Sequence, residues 1–348
     1  MAFQGPAAVV LGDDTKGLQG GLALVALEDE PTLIVIPEAV RLKVADYSTL
    51  VELVLEQCAT LGDRFGLFDL FQGEDEDFLS PADLTKNRDQ FGSNNLKYGA
   101  VYYPFLRTSY NYYVPTAETN VKVKIDGAAE KNLIDLATTD NDVYNMVKLE
   151  LQNHRVVLPP SPAIAGVCAA VDSSRGVWKA PANVSLNATI EPVVRLDDAR
   201  QGEYNVDPST GLSINVIRSF AGKGVLVWGA RTMAGNDNEW RYISVRRFFN
   251  MVEESSKKSS AWCVFEPNDA NTWVKVRGML ENYLTEKWRE GALAGAAPKD
   301  AFFVRCGLGT TMNAQDILEG RLIVEIGMAV VRPAEFVILT FMHKLQTS

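Results

Sequence analysis

The sequence predicts two units of different class. Residues 1–233 read as an α/β unit, a mixed sheet with strand–helix–strand connections, and residues 234–348 as an α+β unit with a small sheet. Three observations predict this. Leu33–Ile36 and Phe65–Phe71 are short apolar strands flanking a helical stretch, which places a parallel pair side by side with a right-handed crossover. From about residue 234, helices with one apolar face alternate with short strands. The last stretch, Arg321 to Gln346, is apolar enough for a strand on either side of Arg332-Pro333.

Taken in order, residues 18–27 read as a short helix, and Leu33–Ile36 is stopped by Pro37. Ser48 can cap a helix bearing Val51, Val54, Leu55 and Cys58 and ended by Gly62. Phe65–Phe71 is rich in aromatics, and Leu96–Tyr103 supplies a further strand. The acidic run Glu74-Asp75-Glu76-Asp77 reads as a solvated loop, with a metal site as the lesser alternative. Residues 115–153 look like an insertion, in which polar loop composition leads into two helices. The second carries Val143, Met146, Val147 and Leu151 at helical spacing. Ser161-Pro162 looks like an N-cap followed by proline at the first helical position. The helix after it is so poor in bulk that another backbone must approach closely. Ile214–Phe220 and Val225–Met233 are strands joined by a hairpin-like Ala-Gly-Lys-Gly.

In the second unit, Ser244 caps a helix bearing Val245, Phe248, Phe249 and Val252, with Lys257 and Lys258 at its favourable end. Trp262–Phe265 reads as a strand ended by Pro267. Asp269 or Asn271 caps a long helix with Trp273, Val276, Leu280, Leu284 and Trp288 on one face, ended by Gly291. Phe302–Cys306 is a strand. In the terminal stretch, Leu322, Val324, Ile326, Met328 and Val330 fall on one face, alternating with Glu325, Gly327 and Ala329. From Phe336 to Leu339 both faces are apolar, which a strand tolerates only when covered on both sides. Thr340, His343 and Lys344 restore polarity. Such a segment needs a neighbour. It is either an inner strand of its own domain or a strand offered to another subunit, because an unpaired edge is a template for pairing.

With 47% apolar and 22% charged residues, a chain of 348 residues has ordinary globular composition and length enough for two or three cores. A net charge of −10 argues against nucleic acid as the main partner, since neutralising phosphates needs a basic surface. No apolar run approaches the ~20 residues of a membrane span, so no direct membrane insertion is expected. The opening residues have no basic n-region, so no signal peptide is expected. Cys58, Cys168, Cys263 and Cys306 lie far apart and are expected as reduced, buried thiols.

Neither His154 nor His343 has a legible acid–nucleophile arrangement, and the common hydrolase, zinc-protease, P-loop and dinucleotide motifs do not occur. Gly222-Lys223-Gly224 precedes a strand rather than a helix and reads as a turn. Asn183-Val-Ser185 and Asn187-Ala-Thr189 match glycosylation acceptors, which are idle without secretion. No catalytic residue, metal or cofactor is therefore expected. An enzyme reading, α/β hydrolase-like, would rest on Ser161, Ser173 and His154. The cluster Arg241, Arg246 and Arg247 could bind an anion but better suits salt bridges, in its own chain or to another.

Several stretches carry a family resemblance. They are Val101-Tyr-Tyr-Pro-Phe105, Leu158-Pro-Pro-Ser-Pro-Ala-Ile-Ala-Gly-Val167, the run from Asp172 to Asn183, Ile214-Asn-Val-Ile-Arg218 and Val227-Trp-Gly-Ala-Arg-Thr232. They continue with Trp240-Arg-Tyr-Ile-Ser-Val-Arg-Arg247, Phe265-Glu-Pro-Asn268, Trp288 to Gly295, Ala301-Phe-Phe-Val304 and Arg332-Pro-Ala-Glu-Phe336. In order and spacing the chain resembles the sheath proteins of contractile phage tails and extracellular contractile injection systems.

The resemblance implies a structural subunit in a helical array of hexameric rings around an inner tube protein, with baseplate and terminator or cap proteins at its ends. Contraction of the array drives the tube through a target envelope. Residues 1–233 would be the outer domain and 234–348 the inner core domain, whose small sheet is completed between subunits. The implied exchange strand comprises Phe336, Val337, Ile338, Leu339, Thr340, Phe341 and Met342, and Arg241, Arg246 and Arg247 would be interface charges. Assembly would take place in the bacterial cytoplasm, giving a virion or a released particle. A static tail or baseplate protein sharing the fold is the structural alternative. The family's usual N-terminal arm has no counterpart here, as expected of a fragment, a trimmed chain or a divergent form.

Overall fold

The computed structural model describes residues 9–75, 79–111, 121–125 and 129–336. Helix α1 (Gly17–Val25) and strand β1 (Leu33–Val35) lead to α2 (Val44–Leu61). The buried face of α2, from Tyr47 through Leu50, Val51, Val54 and Leu55 to Cys58, repeats at helical period, and Gly62 closes the helix in the left-handed region at φ 75°. The helix begins ahead of the expected cap. Ser48 lies inside it and donates to the Gln90 carbonyl, because burial of Tyr47 draws the first turn onto the sheet.

Strand β2 (Phe65–Asp69), helix α3 (Pro81–Asp89), β3 (Gly99–Tyr103) and β4 (Leu106–Asn111) follow. Leu96–Tyr98 is a 3-10 turn rather than the start of β3. A short ribbon, β5 (Lys122–Val123) with β6 (Lys131–Asn132), precedes helices α4 (Leu133–Thr139) and α5 (Asn141–Asn153). No side chain of α5 is buried, and Met146, expected on its packing face, is 68% exposed. Next come β7 (Arg155–Leu158), α6 (Ser161–Arg175), β8 (Val184–Ser185), β9 (Thr189–Pro192), α7 (Asp198–Asn205), β10 (Asn215–Phe220) and β11 (Gly224–Val227). The turn at 221–223 joins β10 and β11 as an antiparallel hairpin, with Phe220 opposite Gly224.

Among the described residues, six strands form the main sheet in the order β1-β2-β3-β10-β11-β8. The first four run parallel, and β11 is antiparallel to both neighbours. The alternation of side chains explains its two cores. Phe68, Val101, Tyr103 and Val216 face α2. Phe65, Leu67, Ala100, Tyr102 and Ile217 face α6, whose Ile164, Val167 and Cys168 are small enough to lie close. Sheets covered on both faces carry continuous apolar strands, and these do. A separate sheet, β7-β4-β9, supports the region around the expected insertion.

The remaining elements are α8 (Ile243–Ser260), α9 (Ala270–Arg289), α10 (Pro298–Ala301), β12 (Phe302–Cys306), α11 (Ala314–Leu318) and β13 (Val324–Met328). The expected caps fare differently here. Asp269 caps α9 by accepting from the Thr272 amide at 3.0 Å. Ser244 is already the second residue of α8, whose start is set by burial of Ile243 in the central core. Trp262–Phe265 is not a strand. Residues Ala261–Cys263 form a 3-10 turn, and Phe265 has φ 68° with its ring fully exposed. An apolar run alone does not make a strand when α8 continues to Ser260 and no partner strand lies beside it among the described residues. A third core gathers Phe248 and Val252 of α8, Val276, Leu280 and Leu284 of α9, and Val304 of β12.

Candidate assembly site

Strand β13 pairs antiparallel with β12 from Phe302 opposite Met328 to Cys306 opposite Val324. The expected alternation is present. Val324, Ile326, Met328 and Val330 pack on the third core, while Glu325 is exposed and faces Arg305 across the ladder at 3.7 Å. Among the described residues this sheet has only two strands, so each presents one unpaired edge. A groove of about 790 Å³ lies beside β13, with Val276, Leu280, Leu322, Val324 and Ile326 in its lining and Phe265 at its wall.

Beyond β13 the chain stays briefly with its own unit, where the Val331 amide donates to the Ala292 carbonyl at 3.1 Å. After Pro333 it crosses to the central sheet. There the Glu335 carboxylate accepts from Arg231 Nε at 2.9 and 3.1 Å, from Arg231 Nη2 at 2.7 Å and from the Tyr242 hydroxyl at 3.1 Å. Burial, and next the Glu335 charge, raises the Tyr242 pKa, so the phenol stays a donor. Arg231 is buried, and its Nη1 donates to the Gly235 carbonyl at 2.7 Å. A second groove, of about 720 Å³, runs between Trp228–Ala230 and Pro333–Phe336. Of the expected exchange residues, Phe336 is 68% exposed. Val337, Ile338, Leu339, Thr340, Phe341 and Met342 lie outside the described residues.

The three expected interface arginines occupy different settings. Arg246 is 2% exposed, donates to Asn250 and Glu253, and stacks 4.3 Å from the Trp240 ring. Arg247 forms a two-point pair with Asp172 of α6 at 3.0 and 2.5 Å. Burial is the largest influence and opposes its charge, but the Asp172 hydrogen bond together with the neighbouring acidic groups leaves its pKa raised. Arg241, half-buried, bonds to the Asp237 carbonyl and to Asn238. Together with the Asn250 amide, which donates to the Arg64 carbonyl at 3.0 Å, Arg247 fastens α8 under the central sheet.

Ser161 does not cap its own helix. It is the first helical residue, behind Pro160, and its amide and hydroxyl donate to the Asp69 carboxylate at 2.6 and 2.5 Å. Asp69 ends β2 at 3% exposure, and burial pushes its pKa up to about 7 against the pull of the Ser161 hydrogen bonds. The hydrolase-like trio is not gathered as a triad. Ser161 is spent on a carboxylate in the core, Ser173 is exposed on α6, and His154 is exposed at the end of α5. Burial also pushes the Cys58 thiol up to about 12 and Cys168 to about 11, so both are poor nucleophiles. Cys263, expected buried, is only half-buried, because the turn that replaces the expected strand leaves it near the groove. Among the described residues no cluster of His, Cys, Asp and Glu could hold a metal, and no helix is long and apolar enough to cross a membrane.

The Asp69–Ser161, Asp172–Arg247 and Arg231–Glu335 pairs were not predicted. Five of the six residues, all but Asp69, fall inside the family-like stretches quoted above, but nothing in the sequence pairs them across 92, 75 and 104 positions.

Residues 111–233 match the phage tail sheath protein central domain, and residues 235–343 match the phage tail sheath C-terminal domain. The chain is 36% identical to the sheath of an extracellular contractile injection system, PVC, in the contracted state, at a TM-score of 0.64, covering 84% of this chain and 68% of that one. It is 34% identical to the helical sheath of the anti-feeding prophage in the contracted state, at a TM-score of 0.65, covering 95% and 75%. It is 29% identical over 166 residues to the tail sheath protein of Vibrio phage KVP40, covering 46% of this chain and 24% of the phage protein. The chain thus spans about a quarter of that phage relative. It belongs to the phage tail sheath family.

Proposed function

We propose that the chain is a structural subunit of a contractile sheath, stacked in hexameric rings around an inner tube protein and bounded by baseplate and terminator or cap proteins. Shortening of the array drives the tube through a target envelope. In this reading residues 1–233 face outward and 234–348 form the inner mesh. The array assembles in the bacterial cytoplasm and works in a virion or a released particle. The observation that carries the proposal is the β12–β13 sheet, which among the described residues has only two strands and a largely apolar groove beside one of them.

The segment Phe336–Met342 of a neighbouring copy would add a strand there. Each main-chain hydrogen bond contributes ~0.5–1.5 kcal/mol net, so a strand of about six residues contributes ~3–9 kcal/mol before ordering costs. A joint of that strength can persist while outer contacts change between two packings. Arg241 is the candidate for charge contacts with neighbours, while Arg246 and Arg247 set the shape of the surface that neighbours meet.

Truncation after Phe336 is the test. The shortened chain should remain folded by circular dichroism and form no hollow cylinders in electron micrographs. Normal cylinders from that variant would sink the strand-exchange reading.

A further inference from the structure

The segment leading to the exchange strand is fastened to the larger unit of the molecule. We infer that Tyr242 and Arg231, the latter held in place by Asn215, are positioning residues for the C-terminal arm: they dock Glu335, the residue just before the exchange segment, on the central sheet. The inference rests on the strand-exchange reading and adds where the arm is rooted.

The connection is short. Glu335 is gripped by the Arg231 guanidinium through two of its nitrogens and by the Tyr242 hydroxyl. The Arg231 amide donates to Asn215 Oδ1 at 2.8 Å, and Asn215 Nδ2 donates back to the Arg231 carbonyl at 2.7 Å. The same Nδ2 reaches the Val101 carbonyl of β3 at 3.2 Å. Asn215 is itself the first residue of β10, so three residues join the arm to two central strands. The approach depends on Gly229, where a Cβ would lie 2.7 Å from Asn215 Oδ1.

A guanidinium held on one side by a carbonyl and on the other by a carboxylate has its geometry fixed, which a single ammonium would not provide. Tension on the arm would therefore pass into the six-stranded sheet and only secondarily into β13. A neighbour joined through the arm would follow the central unit when that unit turns.

The test uses full-length chains carrying Glu335→Ala, Glu335→Gln or Tyr242→Phe, with the truncation after Phe336 alongside. For Glu335→Ala, amide exchange over Val331–Phe336 should quicken by ~tenfold or more while β3 and β10 keep their protection. The melting temperature of unassembled protein should fall by no more than about 5 °C, the scale of one buried pair broken on one side in a chain of this length, and the concentration needed for cylinders should rise ~tenfold, about the worth of one charged hydrogen-bonded pair. Glu335→Gln and Tyr242→Phe should fall between this variant and the parent.

Unchanged strap exchange and unchanged assembly in Glu335→Ala would overturn the inference. So would a global loss of protection with a large fall in melting temperature, which marks an ordinary structural contact. If the truncated chain fails to assemble while Glu335→Ala assembles normally, the docking fails and strand exchange stands. If the truncated chain assembles, strand exchange itself fails.

Discussion

The central sheet carries helices on both faces, whereas the β12–β13 sheet packs α9 on one side and, among the described residues, has only two strands. In the first, Phe65, Leu67, Tyr102 and Ile217 are at most 2% exposed. In the second, Val324, Ile326 and Met328 are only half-buried. The central sheet therefore draws its stability from its own chain. The C-terminal sheet holds apolar surface in reserve, and a subunit that must join others needs such a surface.

The largest effect should come from the finished side. Phe65→Ala should destabilise the unassembled chain by ~3–5 kcal/mol, the usual cost of emptying a closed aromatic site. Val324→Ala should cost only about 1 kcal/mol, because its site is already half-open. Denaturant titration of the two variants measures the gap. Equal losses would mean that the C-terminal sheet is as complete as the central one, and the comparison would break.

The seam between the units comes next. Arg247→Ala leaves Asp172 without its two-point partner and opens the contact between α6 and α8. Breaking a buried pair on one side costs about 3 kcal/mol, and the loss should be nearly the same in low and high salt because the pair is shielded. A strongly salt-dependent difference would show that this arginine works at a solvated surface.

Asp69 tests the finished sheet from within. Its folded pKa of about 7 lies above the ordinary carboxylate value of 3.8. The folded state therefore holds a proton that the unfolded state releases, and the group's contribution to stability is fullest below the ordinary value and declines as pH rises through about 7. Asp69→Asn keeps an acceptor for the Ser161 amide and removes the buried charge. Relative to the parent it should gain about 2 kcal/mol above pH ~8, after allowing for weaker hydrogen bonds, and nothing near pH ~4. Thermal melts across that range decide the matter. A variant less stable than the parent at high pH would mean that the carboxylate is held charged by the start of α6.

These long-range pairs mark the limit of what the chain's patterns reveal. Periodicity made α2 and α9 legible, glycines marked their ends at Gly62 and Gly291, and the 221–223 turn announced its hairpin. The alternation in β13 identified its packing face. Ser48, Ser161 and Ser244 all looked like caps because each precedes an apolar helical stretch. In each case tertiary packing fixed the helix start elsewhere, and the Ser48 and Ser161 hydroxyls were drawn to partners outside their own helix ends. The route from Glu335 to Arg231 has no local signature, since a carboxylate and a guanidinium so far apart in sequence are paired only by the fold. Trp262–Phe265 failed as a strand for the converse reason: its apolar residues have no strand beside them among the described residues, and only Cys263 packs against the third core.

That last stretch yields the smallest expected change in the subunit and the sharpest contrast with Phe65. Phe265 stands fully exposed at the wall of the β13 groove, in a backbone conformation that costs a non-glycine residue free energy. An aromatic ring that buries nothing in the unassembled chain should contribute almost nothing to its folding. Phe265→Ser should shift unfolding by no more than ~0.5 kcal/mol, as for other exposed sites. If the groove receives a neighbour's strand, the same change should still raise the protein concentration required for cylinders, because the ring would be covered only in the array. Sedimentation of parent and variant over a concentration series measures this. A variant that folds and assembles like the parent would remove Phe265 from the interface and leave the groove to its aliphatic lining. One that unfolds easily would show that the ring is buried after all within its own chain, and the division between a finished and an unfinished sheet would have to be redrawn at this loop.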